Sequence, residues 1–220
     1  MIICEAPQGT PEWRQERAGA ITASMFSEVR ARLKSGPNKG DFTKAAHDYA
    51  FRLAIERISG ESIDDGGMDT WAMRRGRELE PEARAAHEFR HDVEVVECGL
   101  VLTDDRLFGA SADGLIGDDG GAEYKCLVSP DRLARIILNK DISEFADQVQ
   151  GCMWVTGRSW WHFGLYAPFL SSVQMDLVIH EVKRNDDYIE QMERDLMEFN
   201  RLVDSYKQQI IDAPSFIRPE

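Results

Sequence analysis

Three residues near the middle of the chain have types and a spacing suited to acid–base or metal chemistry: Asp113, Glu123 and Lys125. They lie in residues 108–126, where two short apolar runs flank a turn rich in Gly and Asp, a pattern typical of a β-hairpin. Because side chains alternate along a strand, Glu123 and Lys125 share one face and Tyr124 takes the other. Closure of the hairpin within its turn would bring the Asp113 carboxylate close to Glu123.

Two neighbouring carboxylates repel each other and bind protons more readily than isolated ones. A divalent cation such as Mg²⁺ removes this repulsion, because it takes hard oxygen ligands and commonly needs only one or two carboxylates. Such an ion activates water and neutralises charge on a phosphoryl group, while a lysine can stabilise the developing anion. The pattern therefore predicts metal-assisted hydrolysis of a phosphodiester. The competing interpretation is a surface hairpin in which Lys125 forms a salt bridge with an acid.

Helices and strands on both sides of the hairpin must position these residues. Apolar periodicity predicts helices from Asp41 or Thr43 to about Ile58, from about Met68 to Phe89, from Asp141 or Ser143 to about Thr156, and from Asn185 or Asp186 to about Ile211. Strands are predicted at residues 93–102, 159–166 and 173–182. Pro81 falls inside the second helix, where proline costs about 3 kcal/mol, so we expect a kink at Glu80.

A candidate phosphate site precedes these elements. Thr22 or Ser24 can cap a helix that runs to about Leu33, and free N–H groups at a helix start beside a hydroxyl attract phosphate. The competing interpretation is a simple cap with a surface arginine nearby. Residues 34–40 form a basic loop rich in Gly and Pro, residues that interrupt helices and strands. We expect this loop to face phosphates or simply to be solvated.

Composition restricts the class of protein. The 220 residues are expected to form a single domain, 1–220, with 43% hydrophobic residues and no apolar run long enough for a membrane span. Four scattered cysteines and the lack of a signal-peptide pattern favour a reducing cytoplasm. A net charge of −13 argues against broad nucleic-acid binding, yet residues 13–57 carry nine basic and five acidic residues. A confined basic channel in an acidic protein is therefore the form that DNA binding would take.

Five segments in order give the sequence a family resemblance. The hairpin resembles the core of the PD-(D/E)xK nucleases, and its surroundings resemble the lambda-type phage exonucleases, also called the viral recombinase or alkaline exonuclease family. The matching segments are W-x-x-x-R-x-G-x-I-T-A-S at 13–24, G-x-x-x-E at 76–80, S-A-D-G-L at 111–115, E-Y-K-C at 123–126 and Q-V-Q-x-x-M-W-V-T at 148–156. Ala112 stands where the nuclease motif has proline, a position that carries no metal ligand.

The resemblance implies roles for the central residues. Mg²⁺, or Mn²⁺, with two ions in each active site, would be held by the side chains of Asp113, Glu123 and Glu80 and by the backbone carbonyl of Tyr124. Lys125 would activate water or stabilise the transition state. Gln150 is expected to be the catalytic-site glutamine of the family. For Glu80 the alternative is an exposed acid among its acidic neighbours.

The resemblance also implies contacts to DNA. Arg17 and Ser24 would hold the 5′-phosphate of a DNA end, with Ser111 near the same phosphate. Further expected contacts come from Lys34, Gln148 and Arg132, with Arg135 as the alternative to Arg132.

Fold and function follow from the resemblance as expectations. The fold would be α/β, with a central mixed β-sheet of about five strands flanked by helices. The function would be 5′-to-3′ degradation of one strand of linear double-stranded DNA from a 5′-phosphorylated end. A homotrimeric ring, a single-strand annealing protein as partner and phage-type recombination in the cytoplasm of a bacterial host would complete it. The alternatives are a structure- or sequence-specific endonuclease of the same fold and a catalytically silent DNA-binding module.

Overall fold

The computed structural model describes residues 1–63 and 70–213. Eight strands form its sheets: β1 Ile2–Cys4, β2 Ile21–Thr22, β3 Leu100–Leu102, β4 Phe108–Ala110, β5 Gly114–Ile116, β6 Gly120–Lys125, β7 Trp160–Tyr166 and β8 Leu177–Lys183. Seven α-helices accompany them: α1 Pro11–Glu16, α2 Phe26–Arg30, α3 Lys44–Ser59, α4 Trp71–His91, α5 Pro130–Asn139, α6 Ala146–Thr156 and α7 Asp186–Asp212. The α/β class is as expected, and within the described residues no helix is both long and apolar enough to cross a membrane.

The strands form two four-stranded sheets rather than one sheet of about five. The first has the order β1-β3-β4-β2 and the second the order β5-β6-β7-β8, each with parallel and antiparallel pairs. The chain leaves the first sheet after Ala110 and enters the second at Gly114. The side-chain amide of Gln8 holds this short connection by donating to the carbonyls of Ala112 at 2.8 Å and Cys98 at 3.1 Å.

Several predicted elements differ from the observed ones. The first arm of the hairpin begins at Gly114, because Phe108–Ala110 pairs with β2 and β3 instead. The strand predicted at 93–102 is reduced to β3 and one isolated bridge between Val96 and Leu115. No hydroxyl caps the helix after β2, since a 3₁₀ turn at Ala23–Met25 intervenes and the Thr22 side chain accepts no capping bond.

Pro81 lies inside a continuous helix. α4 runs from Trp71 to His91 with Thr70 as its N-cap, and the start predicted near residue 68 lies outside the described residues. Pro81 has no N–H, so the carbonyl of Arg77 cannot accept the usual helical bond from it. Packing of Ala83 and His87 against the second sheet holds the helix despite this loss, because both residues are fully buried.

A large apolar core lies beneath α3, α6 and α7. It contains the fully buried rings of Phe26, Trp161, Phe163 and Phe199. Gly151 permits close packing here, because a Cβ at this position would come within 2.6 Å of the Phe26 ring. This packing fixes α6 against the elements that carry the candidate site.

Candidate active site

The hairpin of β5 and β6 brings Asp113 and Glu123 together. Gly114 pairs with Ala122 in the antiparallel register, so the residues immediately before and after this pair, Asp113 and Glu123, face each other. Oδ2 of Asp113 accepts a 2.6 Å hydrogen bond from the backbone N–H of Tyr124. This bond fixes the Asp113 side chain against the strand that carries Glu123.

Glu123 is buried, with 3% of its surface exposed. Its Oε1 accepts hydrogen bonds from the Lys125 ammonium at 2.7 Å and from the Gln148 amide at 2.6 Å. Its Oε2 is also buried and has no hydrogen-bond partner in the described part of the chain. A buried carboxylate oxygen without a partner is costly, and its presence indicates a place for a ligand.

The charges of the site perturb one another. Burial raises the pKa of Asp113 well above its ordinary value, and the nearby charges of Glu123 and Glu80 raise it further. Burial works to lower the pKa of Lys125, but Glu123 and Asp113 overcome this effect and raise it, so Lys125 stays protonated. The site therefore holds more negative charge than its lysine balances.

Glu80 approaches this pair from α4. Burial raises the pKa of its carboxyl group, Arg84 opposes the shift, and Glu123 adds to it. The Arg84 guanidinium donates to Oε1 of Glu80 at 2.8 Å and to the backbone carbonyl of Asp113 at 3.2 Å. Glu80 is thus a member of the same charged cluster and not a solvated acid on the helix surface.

The residues present fit a magnesium ion. Among the described residues no group of three or more His, Cys, Asp and Glu forms a ready-made metal site. Mg²⁺ does not require one, because it keeps several waters and uses one or two carboxylates together with substrate phosphates. Asp113 and the unpartnered Oε2 of Glu123 supply hard oxygens of this kind, and Glu80 lies beside them.

A second group of residues forms a connected set of hydrogen-bonding groups suited to bind a phosphate. Arg17 donates to Oγ1 of Thr22 at 2.9 Å, and this hydroxyl lies 3.4 Å from Oγ of the exposed Ser24. The Arg17 guanidinium stacks 4.5 Å from the centre of the Trp13 ring, and the indole N–H of Trp13 donates to Oγ of Ser111 at 3.1 Å. The structure therefore brings together all three residues expected to hold a 5′-phosphate.

One cleft joins the two groups. Its volume is about 880 Å³, and its lining includes Trp13, Arg14, Arg17, Glu80, Arg84 and Asp113. Arginines therefore line the same cavity as two of the carboxylates. This arrangement can hold a phosphate-bearing end at one side and present a phosphodiester to the carboxylates at the other.

The two glutamines of α6 have different environments. Gln148 contacts Glu123 as described above. Gln150 is buried, donates to the Lys183 carbonyl at 2.9 Å and accepts from the Asn185 N–H at 2.9 Å. Both ends of its amide hold the junction of β8 and α7, so Gln148, and not Gln150, is the glutamine whose side chain contacts Glu123.

The other expected DNA contacts lie at the margins. Arg132 pairs with Glu144 at 2.7 Å and stacks 5.3 Å from the centre of the Phe145 ring, which Lys125 also approaches, whereas Arg135 pairs with Asp141. Lys34 is exposed on its loop and does not line the cleft. Of the two arginines, Arg132 is the one that shares a neighbour, the Phe145 ring, with Lys125 of the hairpin.

Sequence reasoning missed the roles of Trp13 and Arg84. Trp13 stacks on Arg17 and donates to Ser111, and it lies inside a motif that resembles the family. Thr22, which was expected as a helix cap, instead links Arg17 to Ser24. Arg84 contacts Glu80 one helical turn away, a spacing that would have indicated the pair.

His87 has a structural role. It is fully buried, and its Nδ1 lies 2.7 Å from the Tyr124 hydroxyl while its Nε2 lies 2.9 Å from Nδ1 of His162.

Comparisons with known proteins identify the family and the fold. The model of the YqaJ-like viral recombinase domain matches residues 12–159. LHK-Exo, an alkaline exonuclease from Laribacter hongkongensis, is 30% identical with a TM-score of 0.76 over 92% of this chain and 96% of its own. The same protein in complex with dAMP gives a TM-score of 0.77 at 30% identity, over 91% of this chain and 96% of that one.

A phage-related exonuclease from Haemophilus somnus 129PT shares the fold, with 14% identity and a TM-score of 0.64 over 89% of this chain and 96% of that one. No curated protein sequence matches.

The fold and the family matches define an α/β nuclease of the exonuclease type. The chain belongs to the YqaJ-like viral recombinase domain family, whose model covers more than half of its length.

Proposed function

We propose that this protein is a Mg²⁺-dependent exonuclease that degrades one strand of linear double-stranded DNA from a 5′-phosphorylated end. The observation that carries the proposal is the shared cleft, which is lined by Arg17 and Trp13 on one side and by Asp113 and Glu80 on the other. Thr22 links Arg17 to Ser24, and Trp13 donates to Ser111. A phosphate anchor beside a hydrolytic centre suits an enzyme that starts at strand ends. An enzyme that cuts internally would have no use for it.

The residues have separate tasks in the proposed reaction. Asp113 and Glu123 would hold Mg²⁺, together with Glu80 and the Tyr124 carbonyl. Two bound ions would supply a nucleophilic hydroxide and neutralise the charge on the scissile phosphate. Lys125, kept protonated by its acidic neighbours, stabilises the developing negative charge. Gln148 and Lys125 fix Oε1 of Glu123, which leaves Oε2 for the metal side.

Polarity and product follow from the same arrangement. Arg17, Ser24 and Ser111 bind the 5′-phosphate, so the 5′-ended strand is degraded and a 3′ single strand remains. A released 5′-mononucleotide agrees with the dAMP complex formed by LHK-Exo. Lys34, Gln148 and Arg132 are proposed to guide the DNA backbone toward the cleft.

The biological setting is part of the proposal. The remaining single strand would pass to an annealing protein for phage-type recombination in the cytoplasm of a bacterial host. A ring of three subunits would turn the basic segment 13–57 inward, which reconciles DNA binding with the net charge of −13. Mn²⁺ is the expected substitute for Mg²⁺.

The test is digestion with Mg²⁺ of three substrates: linear duplex with a 5′-phosphate, linear duplex with a 5′-hydroxyl, and a closed circle. Lys125→Ala is the inactive variant. Lys183→Ala is its matched control, because Lys183 pairs with Glu181 two residues earlier on the same sheet, outside the site.

We expect rapid loss of the 5′-phosphorylated strand alone, abolished in Lys125→Ala and retained in Lys183→Ala. Cutting of the circle would instead identify an endonuclease of the same fold. DNA binding without any cutting would identify a catalytically silent module.

A further inference from the structure

Arg84 occupies an unusual place beside the carboxylates. Its side chain is 13% exposed, and one guanidinium contacts three separate segments of the chain. It donates to Glu80 on its own helix at 2.8 Å, to the Asp113 carbonyl at the entrance of the hairpin at 3.2 Å, and it pairs with Glu97 before β3. Helix, hairpin and loop thus meet at a single cation.

The contacts of Arg84 fix the positions of Glu80 and Asp113 relative to each other. Glu80 is on α4 and Asp113 immediately precedes the second sheet, so no local backbone geometry sets the distance between them. Arg84 joins the two directly, because Nη2 donates to both. Glu97, on the outer side, is 77% exposed and holds the other arm of the guanidinium. A planar fork with donors on separate nitrogens can span this three-way contact, whereas the donors of lysine all radiate from one nitrogen.

We propose that Arg84 is a positioning residue that holds Glu80 and the Asp113 backbone in the arrangement needed to bind the metal ion. The inference rests on the proposed function, since it assumes that these carboxylates are metal ligands. Arg84 itself contacts neither metal nor DNA in this role. Substitutions of groups that orient metal ligands typically weaken metal binding roughly 10- to 100-fold.

The experiment measures Mn²⁺ binding to the purified full chain without DNA, from the loss of the free-ion signal in electron paramagnetic resonance. Arg84→Lys keeps the charge and loses the fork, whereas Arg84→Gln loses both. Arg90→Gln is the matched control, because Arg90 lies on the same helix and pairs with Asp176 at 2.6 Å, outside the site. Asp113→Asn provides the reference for a lost metal ligand. Melting temperatures show whether each variant folds.

We expect Arg84→Lys and Arg84→Gln both to weaken Mn²⁺ binding roughly 10- to 100-fold, and Arg90→Gln to bind as the unaltered protein does. If Arg84→Lys binds normally, only charge matters and the positioning role is wrong. If both Arg84 variants bind normally while Asp113→Asn does not, the role is wrong but the metal site stands. If the unaltered protein binds no Mn²⁺, or Asp113→Asn binds it equally well, the proposed metal site fails and the role of Arg84 fails with it.

Discussion

The amide of Gln148 donates to Oε1 of Glu123 at 2.6 Å, the same oxygen that Lys125 contacts. Both available donors therefore converge on one side of the carboxylate, and the buried Oε2 on the other side has no partner among the described residues. Because hydrogen bonds hold Oε1 in place, the lone pairs of Oε2 point in a fixed direction, where they can bind a ligand. Gln148 thus orients a proposed metal ligand, although it is itself uncharged.

The contrast between Gln148 and Gln150 gives the first prediction. Gln148→Ala should reduce the turnover number, because it removes a hydrogen bond that orients Glu123, a proposed metal ligand. It should change stability little, because Oε1 of Glu123 keeps its hydrogen bond to Lys125. Gln150→Ala should lower the free energy of unfolding by about 1–3 kcal/mol, because the Lys183 carbonyl and the Asn185 N–H lose their partner. Urea denaturation and single-turnover digestion separate the two effects. Equal effects of both variants on turnover would contradict the assignment.

Arg17 should determine the preference for a 5′-phosphate. Removal of a charged hydrogen-bond donor typically costs about 1.5–3 kcal/mol, which corresponds to roughly a 10- to 100-fold change. We expect Arg17→Ala to reduce by this factor the ratio of kcat/KM for 5′-phosphorylated over 5′-hydroxyl ends. Arg14→Ala is the control in the same cleft and should lower both values alike. An unchanged ratio in Arg17→Ala would locate the phosphate anchor elsewhere.

The carboxylate cluster should make the stability of the metal-free protein fall as pH rises through the raised pKa of Asp113. The pKa of Asp113 is raised above 3.8 in the folded state, mainly by burial and then by its acidic neighbours. The folded state therefore binds a proton more tightly than the unfolded chain does, and this stabilisation is present at low pH and lost as pH rises through the raised pKa. In EDTA, Asp113→Asn should melt at a higher temperature than the unaltered protein near pH 8, and Mg²⁺ should stabilise only the latter. A lower melting temperature for Asp113→Asn would show that the carboxylate is not destabilising.

His87 should produce the opposite trend at acid pH. Burial lowers its pKa from 6.5 to about 4, helped by His162 and His91. The unfolded chain takes up a proton as pH falls below 6.5 and the folded chain does so only near 4, so stability falls through this window, by about 1–3 kcal/mol. His87→Gln should flatten this part of the curve of unfolding free energy against pH. His47→Gln, which removes a similar contact to Tyr206, controls for loss of a histidine–tyrosine hydrogen bond.

The opposition of Asp113 and Glu123 could be predicted from the sequence because a hairpin is local. Its turn sets the register, and the register alone places residue 113 opposite residue 123. The segment that resembles the family likewise contained Arg17 and Ser24 in a short stretch. Interactions within such short segments follow from spacing and strand or helix geometry.

Long-range partners could not be predicted in this way. Gln150 lies 33 and 35 positions from the residues that satisfy its amide, so nothing local distinguished it from Gln148. The division into two sheets depends on β4 pairing with β2 and β3 rather than continuing the hairpin.

Spacing alone is also ambiguous, because Glu-x-Lys occurs again at Glu181 and Lys183. The side chains of that second pair are 50% and 73% exposed, against 4% and 24% for Glu123 and Lys125. Burial separates the two pairs, and burial is a property of the whole fold.

The short connection between the two sheets has a consequence for what the proposed enzyme would release. Ser111, at its start, is one of the proposed phosphate-binding residues, and Asp113, at its end, is one of the site carboxylates. The fully buried Ala112 lies between them. Three consecutive residues cannot lengthen, so covalent geometry limits the distance from an anchored strand end to the point of cleavage. In the proposed enzyme this connection would set the length of strand between the anchored end and the cleaved bond at each round, so one inserted residue would change the size of the product.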